Sequence, residues 1–248
     1  MKNKICVLIP ARYNSKRLPG KPLIVLKNKS ILERTIEQVL KVIKKENVFI
    51  FTDSNKVTNH LKNKYSNVIL TKGNYYSGTD RCANNINKIN KKFYGYLIVS
   101  CDFPFISKQC INSTIENYKK VFKSKKYVGA TVHTKTVDKK IIKSSKIPKI
   151  VTDVNNDIIY ISRSPLPSNY NLNLKYKVHH GPVCLKFSAL KNSLKFKNKK
   201  LSKSEENEWL QFIENGFKIK TSEVNKISRE INDIKDLNYY KKKLNVKN

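Results

Sequence analysis

The sequence has few acidic residues and lacks long apolar runs. Its 248 residues include 18 Asp and Glu against 51 Lys and Arg, which gives a formal net charge of +33. No apolar run approaches the ~20 residues that a membrane-spanning helix needs. The apolar stretch after the basic N-terminus covers only residues 5–9, which is too short for the core of a signal peptide. We therefore expect a cytoplasmic protein with no membrane partner.

Cysteine is scarce and is not arranged as a framework. The five cysteines are odd in number and include no CxxC pair, so neither a disulfide scaffold nor a zinc knuckle is predicted. The positive charge could indicate a nucleic-acid-binding protein. However, the lysines are spread along the whole chain, which is typical of a composition bias, and we expect no specific nucleic-acid partner. A positive field of either origin would attract polyanions such as nucleoside triphosphates.

The first half of the chain alternates between strand and helix patterns. Strand patterns occur at 5–9, 47–52, 67–71 and 96–100, and helical spacing occurs at 31–43, 79–89 and 107–122. This order predicts an α/β fold with a doubly wound, mostly parallel sheet. In such sheets ligands bind beyond the carboxyl ends of the strands. The polar loops 10–22, 72–81 and 101–105 are therefore expected to converge.

The second half has a different character. Its pattern predicts a hairpin over 148–161, an extended stretch at 177–186, a helix at 204–215, a strand at 217–221 and a final helix at 233–244. The simplest organisation is a single domain in three parts. Residues 1–130 would form the core, 131–222 a smaller inserted α+β part that extends the sheet or forms a lobe, and 223–248 a return to the core.

The segment that follows the first strand is the most informative part of the sequence. It reads Pro-Ala-Arg-Tyr-Asn-Ser-Lys-Arg-Leu-Pro-Gly-Lys-Pro-Leu over residues 10–23. Its basic side chains, Arg12, Lys16, Arg17 and Lys21, could neutralise a triphosphate. The prolines stiffen the loop, and Gly20 permits a close backbone approach or a positive φ. The spacing matches neither a Walker A loop nor a GxGxxG loop.

The motif Ile-Pro-Ala-Arg-x-x-Ser-x-Arg-Leu-Pro-Gly-Lys-Pro-Leu at residues 9–23 resembles the opening motif of the CMP-Kdo synthetases, the 3-deoxy-manno-octulosonate cytidylyltransferases. Weaker matches follow in the family's order at 52–53, 77–81, 100–104, 149–153, 162–167, 179–181 and 205–210. The resemblance implies a Rossmann-like sheet of the nucleotide-diphospho-sugar transferase type, with CTP bound by residues 1–130 and the sugar-binding and dimerisation part at 131–222. It also implies Mg²⁺-dependent transfer of CMP from CTP to 3-deoxy-D-manno-octulosonate (Kdo) by a homodimer, for lipopolysaccharide synthesis.

The same resemblance implies roles for individual residues. The catalytic residues would be Arg12, Arg17, Lys21 and Asp102. The nucleotide would be bound by Pro10, Ala11, Arg12, Ser15, Lys21, Ser77, Gly78, Thr79 and Arg81. The acidic sugar would be bound by Arg163, His179 and Glu208. Mg²⁺ would be held by Asp102, a hard oxygen ligand of the kind this ion prefers, with help from Asn232 or Asp233. Ser77 or Thr79 could also cap a helix, His179 could be a buried structural histidine, and Asp102 could merely cap a turn.

The sequence departs from the family near the sugar and the second metal ligand. Phe103 replaces a glutamate, and Trp209-Leu210-Gln211 replaces Gln-Leu-Arg. An ungapped alignment puts Asn232 at a position where the family has a metal-binding aspartate, whereas a one-residue slip would let Asp233 serve. Since these changes spare the triphosphate loop, the use of CTP is better supported than the sugar. An 8-amino-Kdo or sialic-type acid, another base or a non-acidic sugar, an inactive paralogue, and a basic nucleic-acid-binding protein remain alternatives.

Overall fold

The structure is a computed structural model that describes residues 4–15, 17–171, 173–179, 181–225 and 229–244. The strands in these residues are β1 (Ile5–Ala11), β2 (Val25–Leu26), β3 (Lys29–Ser30), β4 (Val48–Thr52), β5 (Val68–Leu70), β6 (Gly95–Ile98), β7 (Tyr127–Thr136), β8 (Lys149–Thr152), β9 (Ile158–Ser162), β10 (Tyr176–Val178), β11 (Val183–Leu185) and β12 (Lys218–Glu223). The α-helices are α1 (Ile31–Leu40), α2 (Asn55–Leu61), α3 (Gly78–Asn85), α4 (Lys108–Val121), α5 (Lys139–Lys143), α6 (Phe187–Ser193), α7 (Lys200–Ser204), α8 (Leu210–Ile213) and α9 (Ile234–Lys243).

Four parallel strands form the first half of the main sheet, in the order β5-β4-β1-β6. β1 pairs in parallel with β4 on one side and with β6 on the other. Every residue of β1 is buried, as expected of a parallel strand that helices cover on both faces. The predicted doubly wound α/β core is thus confirmed. The carboxyl ends of β1, β4 and β6 lie along one edge of this sheet.

The second half extends the same sheet with mainly antiparallel strands. β11 is antiparallel to both β6 and β7, and the sheet continues in the order β7-β10-β8-β9. β8 and β9 form the predicted hairpin, with Ile150 opposite Ile161. The sequence analysis missed β7, which also pairs in parallel with β12. Gly129 weakens the strand pattern in the sequence. The structure nevertheless requires a glycine there, because a Cβ at this position would lie 2.2 Å from the Cys184 carbonyl oxygen.

Two elements of the second half were predicted wrongly. The helix expected at 204–215 is divided into α7 and α8, because Glu206 takes a positive φ of 43° between them. The extended stretch expected at 177–186 is divided into β10 and β11. The segment between these strands contains Pro182, which has no N–H to donate to a strand ladder.

Local hydrogen bonds cap the start of α1. Ser30 Oγ accepts a hydrogen bond of 3.2 Å from Glu33 N, and Glu33 Oε2 accepts one of 2.9 Å from Ser30 N. This reciprocal pair satisfies two donors at the start of α1. None of the helices in the described part of the chain is long and apolar enough to cross a membrane.

Apolar clusters cover both faces of the sheet. The cluster on the α1 face includes Val7 and Ile36, and the cluster on the α3 face includes Leu8 and Ala83. Neighbouring residues of β1 enter different clusters because side chains alternate across a strand. A third cluster joins the loop after β1 to the C-terminal return segment, and it contains Leu18, Leu26, Ile31, Ile231, Leu237 and Tyr240. This cluster brings residues far apart in sequence to the carboxyl edge of the sheet.

Candidate active site

A cavity of about 160 Å³ lies at the carboxyl edge of the parallel strands, between the loop after β1 and the start of α3. It is lined by Pro10, Arg12, Ser15, Lys21, Tyr75, Tyr76, Ser77, Gly78, Arg81, Ser100, Cys101 and Asp102. The three polar loops that were expected to converge therefore all contribute to one site. Of the other predicted nucleotide-site and catalytic residues, Ala11 is buried at the end of β1 and Arg17 is exposed. Lys16 lies outside the described residues.

An ion pair between Lys21 and Asp102 lies at the bottom of this cavity. Lys21 Nζ is 2.6 Å from Asp102 Oδ2, and the two residues are only 9% and 8% exposed. Burial alone would lower the pKa of Lys21, but the Asp102 carboxylate raises it above its ordinary value. Oδ1 of Asp102 is buried and has no hydrogen-bond partner among the described residues. A buried carboxylate oxygen that lacks a hydrogen-bond partner is able to bind a further cation.

Asp53 connects the loop after β1 to α3, and the sequence analysis assigned it no role. Its Oδ1 accepts a hydrogen bond of 2.9 Å from Tyr13 N, and its Oδ2 lies 3.1 Å from Arg81 Nη2. Arg81 Nη1 also donates to Thr71 Oγ1 at 2.6 Å, and the guanidinium carbon lies 4.9 Å from the Tyr75 ring centroid. Arg81 is therefore held rigidly in the cavity wall. The available signal was Thr52-Asp53 at the end of a predicted strand.

The start of α3 packs directly against the loop after β1. Ser77 Oγ caps this helix by accepting a hydrogen bond of 3.1 Å from Asp80 N, which is the structural role considered for Ser77. A Cβ at Gly78 would lie 2.9 Å from Pro10 Cγ, so a larger residue would push the two segments apart. Thr79 is buried behind the cavity wall. The cavity thus depends on a close backbone approach at Gly78.

Glu208 contacts the start of α3 from the second half of the chain. Its Oε2 accepts a hydrogen bond of 2.9 Å from Thr79 N. A carboxylate is favourable at this position because the first N–H groups of a helix lack partners within the helix. Burial raises the pKa of Glu208 above its ordinary value. The residue predicted to bind sugar hydroxyls therefore also helps to hold the nucleotide half of the cavity in place.

Arg163, the predicted ligand of the sugar carboxylate, donates to three backbone carbonyls. Nε lies 2.7 Å from Glu205 O, Nη1 lies 2.8 Å from Ser145 O, and Nη2 lies 3.0 Å from Glu206 O. A guanidinium has five N–H donors, so each terminal nitrogen keeps one further N–H. Arg163 is thus held by the backbone that surrounds it and retains donors for a carboxylate.

His179 is buried, with only 4% of its surface exposed. Its Nε2 lies 2.9 Å from Thr131 Oγ1, and its backbone N–H donates to Pro148 O at 2.9 Å. These contacts correspond to the structural histidine that the sequence left open. In the described part of the chain, the cavity lining includes none of the three predicted sugar-binding residues. Arg163 and His179 therefore lie apart from the predicted nucleotide-site residues, whereas Glu208 contacts one of them, Thr79.

The departures from the resemblance at Phe103 and at residues 209–211 belong to the core. Phe103 is 3% exposed and lies in the apolar cluster on the α1 face. Trp209 is 9% exposed and lies in the cluster on the α3 face. Gln211 Nε2 donates to the carbonyl of Glu208 at 2.7 Å. These replacements are accommodated by packing and by hydrogen bonds within the chain.

The C-terminal return segment lies alongside Asp102. The backbone N–H of Ile231 donates to the Asp102 carbonyl at 3.0 Å. The side chains on either side of Ile231 meet, since Asn232 Nδ2 donates to Glu230 Oε2 at 2.8 Å. Burial, and secondly the nearby Asp102 carboxylate, raise the pKa of Glu230 to about 7. Glu230 was missed by the sequence analysis, and its only signal was its position two residues before Asn232.

Asp233, the alternative metal ligand, is engaged in other contacts. Its Oδ1 accepts a hydrogen bond of 3.1 Å from Asp236 N and so caps α9, and its Oδ2 forms an ion pair with Lys146. The hydrogen bond from Lys146 lowers the pKa of Asp233 to about 2. These contacts give no support to the metal role predicted for Asp233. Within the described ranges, no group of three or more His, Cys, Asp and Glu side chains could hold a metal ion.

Known proteins that resemble this chain match it over nearly its full length. A family model described as "Cytidylyltransferase" matches residues 6–244. A 3-deoxy-manno-octulosonate cytidylyltransferase of Fusobacterium nucleatum is 35% identical over 89% of this chain and 88% of its own. One of Thermodesulfovibrio yellowstonii is 32% identical over 98% of both chains. A solved structure of CMP:2-keto-3-deoxy-manno-octonic acid synthetase complexed with CTP has a TM-score of 0.87 at 24% identity, covers 98% of each chain, and shows that the fold is shared.

Proposed function

The chain belongs to the cytidylyltransferase family, and we propose that it transfers CMP from CTP to Kdo, forming CMP-Kdo and pyrophosphate. The observation that carries this proposal is a cavity lined by Lys21, Arg81 and Asp102, in which Asp102 keeps a buried oxygen without a partner among the described residues. Basic side chains in this cavity can bind the phosphates of a triphosphate, and a carboxylate can bind a divalent cation. The relatives that match most of this chain bear the name of this activity.

In the proposed reaction, the anomeric hydroxyl oxygen of Kdo forms a bond to the α-phosphorus of CTP. The bond from that phosphorus to the oxygen bridging the β-phosphate breaks, pyrophosphate leaves with the electron pair, and the hydroxyl proton passes to solvent. Both substrates are anionic, so charge neutralisation and alignment supply most of the catalysis. We assign this role to Arg12 and Lys21, which line the cavity, and to Arg17 on the same loop.

The residues of the cavity also fit Mg²⁺. Asp102 Oδ2 already holds a cation, the Lys21 ammonium group, while Oδ1 is buried and unpartnered in the described part of the chain. Mg²⁺ usually takes one or two carboxylates together with substrate phosphates. When bound, Mg²⁺ would neutralise charge on the triphosphate and lower the pKa of the attacking hydroxyl. Asp102 would hold the ion, and Asn232 would offer a neutral carbonyl oxygen.

The nucleotide and the sugar are assigned to different parts of the chain. We place the nucleotide against the lining residues Pro10, Ser15, Ser77, Gly78 and Arg81, with Ala11 and Thr79 supporting the wall behind them. We propose that the sugar lies toward the antiparallel extension. There Arg163 retains N–H donors for the carboxylate, and His179 and Glu208 complete the proposed sugar-binding set.

We further propose that the protein acts as a homodimer in the cytoplasm and supplies activated Kdo for a surface glycan such as lipopolysaccharide. All five cysteines are buried and free of disulfides, which suits a reducing compartment. CTP is also available in that compartment. The dimer is proposed from the family resemblance, and a molecular mass close to twice 28.8 kDa by light scattering would support it.

Pyrophosphate release tests the proposed function. The protein would be incubated with CTP and Mg²⁺ and, in separate reactions, Kdo, its 8-amino analogue and sialic-type acids. We expect release with Kdo, because the relatives share that substrate in their names. Release only with another acid would keep the chemistry and reassign the sugar. A folded protein that releases pyrophosphate with none of them would contradict the proposal.

A further inference from the structure

The C-terminal return segment holds Glu230 near Asp102. Neither the sequence pattern nor the family resemblance assigns a role to Glu230. Ile231 is fully buried in the cluster that contains Leu18 and Leu26, and its N–H donates to the Asp102 carbonyl at 3.0 Å. Packing and hydrogen bonding thus hold residue 231 beside Asp102. The side chains of Glu230 and Asn232, which flank it, meet at 2.8 Å. They therefore lie on the same side of the segment.

One carboxylate oxygen at this site is left without a partner. The Asn232 amide holds the Glu230 carboxylate next to the backbone N–H that binds the Asp102 carbonyl. The cations that act on this carboxylate are Lys21 and Arg163. Lys21 is already paired with Oδ2 of Asp102. Oδ1 of Asp102, a residue more than nine-tenths buried, has no partner among the described residues. A buried, unpartnered carboxylate oxygen with a second carboxylate held nearby provides the hard oxygen ligands that a divalent cation takes.

Resting on the function proposed above, we propose that Glu230 supplies the second carboxylate to the divalent cation that Asp102 binds. Asn232, at the position where the resemblance expects an aspartate, would then orient Glu230 through its amide nitrogen in addition to offering the ion its carbonyl oxygen. The Glu230 carboxylate already reaches the side chain at that position, since its Oε2 lies 2.8 Å from Asn232 Nδ2. This placement restores the negative charge that Asn232 cannot provide.

The position of Glu230 is supported from behind by Asp236. Oδ2 of Asp236 accepts a hydrogen bond of 3.0 Å from Asn232 N, and Oδ1 lies 2.8 Å from Arg229 Nε. Asp236 is 2% exposed. These bonds tie the Asn232 backbone and the Arg229 side chain to Asp236 before any ligand arrives. Preorganisation of this kind is what a ligand needs to contribute fully to metal affinity.

Mn²⁺ binding to the full-length chain tests the inference without relying on turnover. Mn²⁺ is a paramagnetic substitute for Mg²⁺, and its free concentration can be measured by electron paramagnetic resonance with CTP present. We expect Glu230→Gln to weaken Mn²⁺ binding on the order of 10- to 100-fold, the range seen when groups that support a metal site are removed. The matched control is Glu116→Gln, the same change at a glutamate that is 61% exposed by side chain. This control should bind Mn²⁺ as the wild type does.

A double variant separates a metal ligand from a residue that merely supports the fold. Glu230→Gln combined with Asn232→Asp returns a carboxylate to the position that the resemblance expects. We expect it to recover most of the lost Mn²⁺ affinity, whereas a structural defect at residue 230 would persist. Wild-type affinity in Glu230→Gln would overturn the inference. So would a loss of affinity in Asp233→Asn with none in Glu230→Gln.

This test and the test of the proposed function fail in different ways. If the wild type releases pyrophosphate with CTP and Kdo but Glu230→Gln binds Mn²⁺ normally, only the role of Glu230 is wrong. If the wild type releases no pyrophosphate with any acid, the proposed function fails. The comparison of Mn²⁺ affinities between the variants can still be read in that case.

Discussion

The two halves of the molecule use their buried polar side chains differently. In the parallel half, Lys21, Arg81 and Asp102 line a cavity, and Asp102 keeps an oxygen without a partner in the described residues. In the antiparallel half, Lys149 and Arg163 each donate to three backbone carbonyls. The parallel strands already pair their own backbone groups, so side chains at their ends are available to ligands. The irregular segments of the extension leave carbonyls that need donors.

This comparison predicts that substitutions in the parallel half reduce activity and that substitutions in the extension reduce stability. The first and largest expected effect is in the cavity. Asp102→Asn removes the charge that pairs with Lys21 and would hold Mg²⁺, so we expect kcat for pyrophosphate release to fall at least about 100-fold. An amide of the same shape can still accept a hydrogen bond from Lys21. The buried ammonium group of Lys21 nevertheless loses its partner charge, so the melting temperature should fall as well. The loss of turnover should persist at low temperature, where the variant is folded.

Asp138→Asn is the matched control for this variant, because Asp138 is an exposed cap of α5. An asparagine caps a helix about as well as an aspartate, so both stability and turnover should match the wild type. Near-normal turnover of Asp102→Asn with CTP and Kdo would show that the cavity carboxylate is not required. The proposal that polar side chains of the parallel half serve activity would then be wrong for Asp102.

The second prediction concerns Lys149 in β8. This side chain is fully buried, and its Nζ donates to the carbonyls of Ser144, Ile147 and Arg163 at 2.9, 2.8 and 2.5 Å. Lys149→Met leaves those carbonyls without their donor. We expect the free energy of unfolding in urea to fall by about 2 to 4 kcal/mol.

Lys139→Met provides the control, because Lys139 is exposed at the start of α5 and should tolerate the change. At low temperature, where the Lys149→Met protein is folded, it should retain most of its turnover. If Lys149→Met kept its stability but lost turnover, Lys149 would have a role in catalysis. The proposed difference between the two halves would then be wrong for this residue.

The third and smallest effect is a pH dependence within the extension. His133 of β7 is 1% exposed, and burial followed by repulsion from Lys177 lowers its pKa to about 4. Folded His133 is therefore neutral at pH values where the unfolded histidine, with a pKa of about 6.5, takes up a proton. As pH falls from about 6.5 to about 4, this difference should reduce the free energy of unfolding by up to about 3 kcal/mol.

His133→Gln removes the titrating group and keeps a side chain that can reach Thr221 Oγ1, which lies 3.0 Å from His133 Nδ1. The variant should lose less stability than the wild type as pH falls through that window. Urea titrations at several pH values would show this difference. Two curves that stay parallel from pH 7 to pH 4 would show that His133 does not contribute to acid sensitivity.

Elements governed by local chemistry could be predicted from the sequence. β1 is a continuous apolar run between polar segments, and Ser30 with Glu33 forms a capping box. Both depend on residues close together in the chain. β7 was missed because the reason for its glycine lies in a distant part of the chain. Gly129 is required because the Cys184 carbonyl approaches the β7 backbone too closely for a Cβ atom. The break near Glu206 was missed because an ordinary residue takes a positive φ there.

The same division applies to the site. Lys21 and Asp102 were predicted as site residues, and the structure pairs them. Asp53 received no role because its two partners, Tyr13 and Arg81, lie on different segments of the chain. Arg163 and His179 were predicted to bind the sugar, yet their hydrogen bonds to carbonyls and to a threonine could not be seen in a motif. Motifs identify residue types, whereas hydrogen-bond partners depend on the packed chain.

The sequence by itself determined the loop after β1, the parallel core and the membership of the cytidylyltransferase family. These depend on local features: prolines that restrict the backbone, a glycine with a φ of 69° before Lys21, and strands with continuous apolar runs. Only the tertiary structure decided which carboxylate lies beside Asp102. Burial of Ile231 in the third cluster holds the return segment against Asp102, so Glu230 meets Asn232 there while Asp233 caps a helix.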